Sequence, residues 1–154
     1  MYEPRIVART LIDRAHRVGV QVTNLKLQKL LYIAHGTMLA AYGQPLVEGG
    51  FDAWRYGPVN TPLYHDLKAF GSDTIKSDSH YIQRWATIPV VDRNAYTVID
   101  AVIEEFGTKS GGYLVEWSHD KRGPWHAAYS GSFGTGSIDN EQIRKFFAEH
   151  VLAH

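Results

Sequence analysis

"TNLKLQKLLYIAHGTMLAAYG", residues 23–43, decides the fold. Leu27, Leu30, Leu31, Ala34 and Met38 recur at the three- and four-residue spacing that brings side chains onto one face of an α-helix. Thr23 or Asn24 supplies an N-cap, and Gly43 followed by Pro45 supplies a stop. The apolar residues cover so wide an arc that the helix is expected at the centre of the domain. Lys26 and Lys29 lie one turn apart, across from much of the apolar stripe, and are expected to keep that face soluble.

Working outward, the N-terminal stretch from Arg5 to Val18 places Val7, Leu11, Ala15 and Val18 at helical spacing, with Gly19 as the stop. Its arginines (Arg5, Arg9, Arg14 and Arg17) do not share one face, so they form no basic stripe and are read as solvated surface. Thr61 and Pro62 predict the N-cap and first position of a short helix that carries Leu63, Leu67 and Phe70 and closes at Gly71. Residues 72–91 read as irregular, with brief extended runs around "HYIQRW" and "TIPVV". Asp92 caps a helix bearing Tyr96, Ile99, Val102, Ile103 and Phe106. "SGGYLVEWS" is a shorter helix weakened by its glycines, and "GPWHAAY" adds a turn or two. "SGSFGTGS" is a loop. In the last helix Asp139 is the cap, Gln142 stands three residues on, and Ile138 can staple to Ile143. The expected fold is mainly α. It is a single compact helical domain over residues 1–154, with about six to seven helices and a minor β-hairpin or extended segments.

Composition narrows the function. Hydrophobic residues make up 44% of the 154 and aromatic ones 12%, enough for a full core. Sixteen basic residues balance sixteen acidic ones, which argues against nucleic acid as a partner, because phosphate binding needs an electropositive face. The absence of cysteine excludes disulfides, thiol nucleophiles and cysteine zinc sites. No apolar run approaches a membrane span, and the N-terminus is too polar for a signal peptide. The expected location is cytoplasmic.

Catalytic patterns are absent. The eight histidines form no H-E-x-x-H motif, although His119 and His126 flank a turn with Asp120 between them. The glycines of "GSFGTGS" lack the Lys-Ser/Thr and the preceding strand of a phosphate loop. No nucleophile elbow surrounds Ser110 or Ser118, and Glu104 and Glu105 point in different directions from one helix. The chain is expected to be no enzyme and to need no cofactor or metal. Trp54, Trp117 and Trp125 fit either of two roles. Large aromatics dominate cores, yet Trp54 and Tyr56 beside Arg55 in a Gly-Pro loop are also what binding hot spots are made of.

Four segments together carry a resemblance: "NLKLQKLLYIAHG" at 24–36, "FDAWRYGPV" at 51–59, "LYHDLKAFG" at 63–71 and "LVEWSHDKRGPW" at 114–125. In this order they resemble the Panacea domain of the SocA-like, phage-associated antitoxins. The resemblance runs over nearly the whole chain. It marks Lys26, Lys29, Tyr32, Trp54, Tyr56, Gly57, Pro58, His119, Pro124 and Trp125 as family-signature scaffold.

The resemblance implies an antitoxin that neutralises a protein toxin, encoded by the adjacent gene, through direct binding. A second expectation is a proteolytic adaptor that delivers its bound toxin to an AAA+ protease. A third is a small hydrolase-type enzyme with a pocket near Trp54, Tyr56, His119 and Trp125. Members of the family pair with unrelated toxins, so a shared signature is expected to be structural. Toxin specificity is then expected on the N-terminal helix, with Arg9 and Arg14 as toxin contacts, on residues 72–90 and on the loop 130–137.

Overall fold

The computed structural model describes residues 1–131 and 136–152. Among them run α1 (Pro4–Arg17), α2 (Asn24–Tyr42), β1 (Phe51–Trp54), β2 (Gly57–Val59), α3 (Thr61–Leu67), α4 (His80–Gln83), α5 (Arg93–Phe106), α6 (Gly111–Ser118), α7 (Pro124–Gly131), β3 (Ser137–Ile138) and α8 (Asn140–His150). The fold is mainly α with a small sheet.

α2 is the central helix, and α1, α3, α5, α6, α8 and β2 all pack against it. Its sequence explains why: Leu27, Leu30, Leu31, Tyr32, Ile33 and Ala34 occupy consecutive faces and are all buried. Each leucine or isoleucine side chain among them contributes about 1.5–3 kcal/mol when removed from water. Thr23 caps the helix by accepting from the Lys26 N–H, and Gly43 ends it in the left-handed conformation. α8 lies closely along α2 because Gly36 offers no side chain. A Cβ there would stand 2.3 Å from the Phe147 ring.

One buried polar side chain, His35, links α2 to α8 and to the loop before the hairpin. His35 Nδ1 accepts from the backbone N–H groups of Leu46 and Val47, so its Nε2 carries the proton donated to Asn140 Oδ1 at 2.8 Å. Burial holds the His35 pKa below its ordinary value, opposed by the Asn140 bond.

The three strands pair in the order β2-β1-β3, antiparallel throughout. Trp54 opposes Gly57, which leaves Arg55 and Tyr56 as a two-residue turn. The sheet is thus built from 51–59 and 137–138. The two runs expected to be extended are not strands: His80–Gln83 is one helical turn, and Ile88 is a buried anchor in a loop. Ile88 donates its N–H to Thr10 Oγ1 and accepts from the Tyr96 hydroxyl. These contacts fix an irregular backbone without a ladder.

Three local expectations are corrected. Val18 is 66% exposed, because α1 ends at Arg17 and turns away at Gly19. α3 is capped by Asn60 rather than Thr61: Asn60 Oδ1 accepts from the Leu63 N–H, so Thr61 and Pro62 are the first helical residues. Arg5, Arg9 and Arg14 are not simply solvated. Arg5 pairs with Asp66, Arg14 pairs with Asp100, and Arg9 reaches the carbonyls of Ile82, Gln83 and Trp85. The loop expected at 130–137 falls partly outside the described residues, at 132–135.

Candidate functional site

The hairpin 51–59 is held from three directions. From α2, Lys29 donates to the Pro58 carbonyl at 2.9 Å, and Gln28 Oε1 accepts from the Asn60 N–H at 2.9 Å. Gln28 is itself oriented by Asn24, whose amide reaches the Tyr64 carbonyl. Asn60 Nδ2 closes the loop onto the Gly50 carbonyl at 2.8 Å. From α7, Trp125 Nε1 donates to the Trp54 carbonyl at 2.8 Å. Buried polar side chains therefore satisfy a loop backbone that would otherwise be left unpaired beside the core.

Lys29 is fully buried, against the expectation that it solubilises its face. The helix is surrounded on all sides, so no face remains for a solvated lysine at that position. Removal from water lowers its pKa to about 7. Gly57 is required on two counts. Its φ is +106°, and a Cβ there would lie 2.6 Å from both Lys29 Cε and Ser118 Oγ. The turn thus sits directly on the lysine and on the end of α6.

His119 and Trp125 form a stack, with ring centroids 3.8 Å apart and planes within 11°, continued by Tyr129 at 4.7 Å. His119 Nε2 is buried without a hydrogen-bond partner among the described residues. Desolvation is the main cause of its lowered pKa, reinforced by the nearby Lys29 and His126 and opposed by Glu116.

The signature residues fall into two groups. Lys29, His119 and Trp125 gather under Gly57 and Pro58 of the hairpin, Pro124 opens α7 next to Trp125, and Tyr32 lies deeper, edge-on to Phe51 and Phe147. Lys26 is only half-buried, and its pKa is lowered by burial. Trp54 and Tyr56 turn the other way. With Leu25, Val59, Tyr64 and Lys68 they line a groove of about 570 Å³ between the start of α2, the hairpin turn and the end of α3. Trp54 is half-buried, edge-on to Tyr64 at 4.8 Å, while Tyr56 is 58% and Leu25 41% exposed. His119 and Trp125 do not line this groove, so the four residues expected around one pocket are divided between two environments. Among the described residues the groove lining contains no carboxylate and no imidazole. What it offers is apolar surface and positive charge.

Arg9 and Arg14 occupy other ground. Arg9 also pairs with Asp13, and Arg14 holds both oxygens of Asp100.

Sequence reasoning missed Gln28, Asn60 and Ser118 as buried polar residues. The signal for Gln28 and Lys29 was the surrounding Leu27, Leu30 and Leu31, which leave the helix no polar side.

Residues 27–126 match the family described as antitoxin SocA-like, Panacea domain. The matched region spans the central helix, the hairpin, and the His119–Trp125 stack. This chain belongs to that family. It is also 37% identical over 134 residues to antitoxin SocA of Caulobacter vibrioides (strain NA1000 / CB15N), covering 84% of this chain and 71% of the relative. No solved structure matches the chain. Among the described residues no helix is long and apolar enough to cross a membrane.

Proposed function

We propose that this chain is an antitoxin that neutralises a protein toxin by binding it directly. The observation that carries this reading is the membership of residues 27–126 in the antitoxin family, joined to 37% identity with antitoxin SocA. The geometry is in keeping with a binding module. Polar signature side chains are spent on holding the hairpin, and the concave surface beside it presents aromatic and cationic groups with no acid–base pair.

The toxin is expected to be the product of the adjacent gene. The test is co-expression. Growth should be arrested by that product alone and restored by this chain, and the two proteins should co-purify at a fixed ratio. Rescue that disappears in a strain lacking an AAA+ protease would replace sequestration by delivery for degradation. A neighbour that is not toxic would remove both readings.

A further inference from the structure

The groove between α2, the hairpin turn and α3 joins an aromatic concavity to two cations, a combination that specifies an occupant. Its walls are the faces of Trp54 and Tyr64, with Leu25 and Tyr56 at the rim. These aromatics surround a concavity of about 570 Å³, a size that suits one or two large side chains. Its charged lining consists of Arg55 and Lys68, and neither makes an ion pair among the described residues. Arg5, Arg9, Arg14, Arg122 and Arg144 are each matched to a carboxylate of this chain, whereas Arg17, Arg84 and Arg93 likewise make no ion pair among the described residues; what marks Arg55 and Lys68 is that both border one aromatic concavity. Arg55 rests over the Tyr56 ring instead, 5.4 Å from its centroid. The first turn of α2 (residues 24 and 25) also faces the groove, and the partial positive charge of a helix start adds to the two cations. In a chain of zero formal net charge this is a local imbalance with an apolar floor.

The surface is also preorganised. Gln28 and Lys29 grip the loop backbone from below, and Trp125 fixes the Trp54 carbonyl. A rigid aromatic groove with unspent cations loses little freedom on binding.

We propose that this groove is the seat of the toxin: it receives a segment that presents a large apolar side chain flanked by carboxylates. The proposal rests on the antitoxin reading above. The apolar side chain packs onto the joined Trp54–Tyr64 ring pair, and the carboxylates meet Arg55 and Lys68 at the rim, where charge steers encounter and fixes register. The signature hairpin then has two sides, one packed on Lys29 and Trp125 and one turned toward the partner.

The test has two arms on the full chain. In the first, the probe is 8-anilinonaphthalene-1-sulfonate, an aromatic anion, against N-phenyl-1-naphthylamine, the same ring system without the sulfonate. The anion is expected to bind at one site at least about tenfold more tightly than the neutral dye, which corresponds to about 1.4 kcal/mol. The double variant Arg55→Glu/Lys68→Glu, which alters only exposed side chains, should abolish that preference while keeping the wild-type melting temperature. Equal affinity for both dyes, or a preference that survives charge reversal, overturns the electrostatic assignment.

In the second arm, the adjacent-gene product should displace the anion, and Tyr56→Ala and the charge-reversed variant should each lose more than about tenfold in toxin affinity. Restoration of binding by a Glu→Lys change in the toxin would identify the carboxylate. Toxin that binds without displacing the dye, and variants that neutralise like wild type, place the seat elsewhere. Loss of a self-dimer in the variants, read by sedimentation, would overturn the proposal in favour of a second copy. A wild-type chain that neither binds nor neutralises the neighbour refutes the antitoxin reading, and with it this one, irrespective of the dye result.

Discussion

The amino group of Lys29 donates to the carbonyl oxygen of Pro58 at 2.9 Å, joining the first half of the central helix to β2 of the hairpin. Lys29 is buried, with Ser118 Oγ and Gly57 close by and His119 near enough to be felt electrostatically. This placement costs the charged form, and the folded pKa near 7 stands far below the ordinary value of 10.5. Between those two values the unfolded chain binds more protons than the folded one. The stability of the protein should therefore rise with pH from about 7 toward 10, by at most roughly 1.4 kcal/mol per unit. Lys29→Met keeps the length of the side chain and removes the charge. It leaves the Pro58 carbonyl without its donor, so it should cost about 1–3 kcal/mol at pH 9.5, where the wild-type amine is neutral in the fold, and it should flatten the slope. Urea midpoints at pH 7 and 9.5 for both proteins decide this, and an unchanged slope in the variant would assign the titration to another group.

Gly57→Ala tests the same contact from the other side. The substitution places a side chain at φ +106° and drives a Cβ to 2.6 Å from Lys29 Cε and Ser118 Oγ. Backbone strain and overpacking together should cost about 2–5 kcal/mol, read as a fall in urea midpoint. Adding Ser118→Ala removes one of the colliding atoms and should return part of that loss, so the two changes should be non-additive. Simple additivity would show that the turn moves away from the lysine.

Arg9→Glu is expected to unsettle the fold, although the helix pattern alone presents Arg9 as a surface residue. Its guanidinium donates to the carbonyls of Ile82, Gln83 and Trp85 and to Asp13, with only 19% of the side chain exposed. Reversal of the charge leaves those carbonyls facing a carboxylate, and the loss should be about 1–3 kcal/mol. Arg14→Glu, opposite the more exposed Asp100, should lose about 1 kcal/mol or less. Thermal melts rank the two. If both variants melt as wild type and lose toxin binding, this face is the contact surface after all.

The helices were legible because their signals are local. Thr23, Asp92 and Asp139 each cap the helix that follows, and the apolar period of α2 and α5 needs no knowledge of the partner. What was not legible depends on contacts distant in sequence. Nothing near Lys29 reveals that Pro58 will be its acceptor, and the carbonyls that Arg9 reaches lie more than seventy residues away. β3 is two residues long and exists because Phe51 and Asp52 pair with it. The hairpin signature was visible as a motif, but its division into a packed side and an open side is a property of the assembled fold.

That division gives the last prediction. Trp125 is 6% exposed, stacked on His119 and Tyr129, and bonded to the Trp54 carbonyl. Trp125→Ala should cost about 3–5 kcal/mol, a large share of the roughly 5–15 kcal/mol that holds a domain together. Neutralisation would then fail because the protein unfolds. Trp54 is half-buried and lends the groove its wall, so Trp54→Ala should cost only about 2 kcal/mol. A folded Trp54→Ala protein should nonetheless bind toxin at least about tenfold more weakly, as expected of an aromatic at the centre of an interface. Paired melting temperatures and toxin affinities separate the two roles. Equal melting losses for the two tryptophans would make Trp54 a core residue, and a folded Trp54→Ala variant with wild-type affinity would mean that the open side of the hairpin is not where the toxin sits.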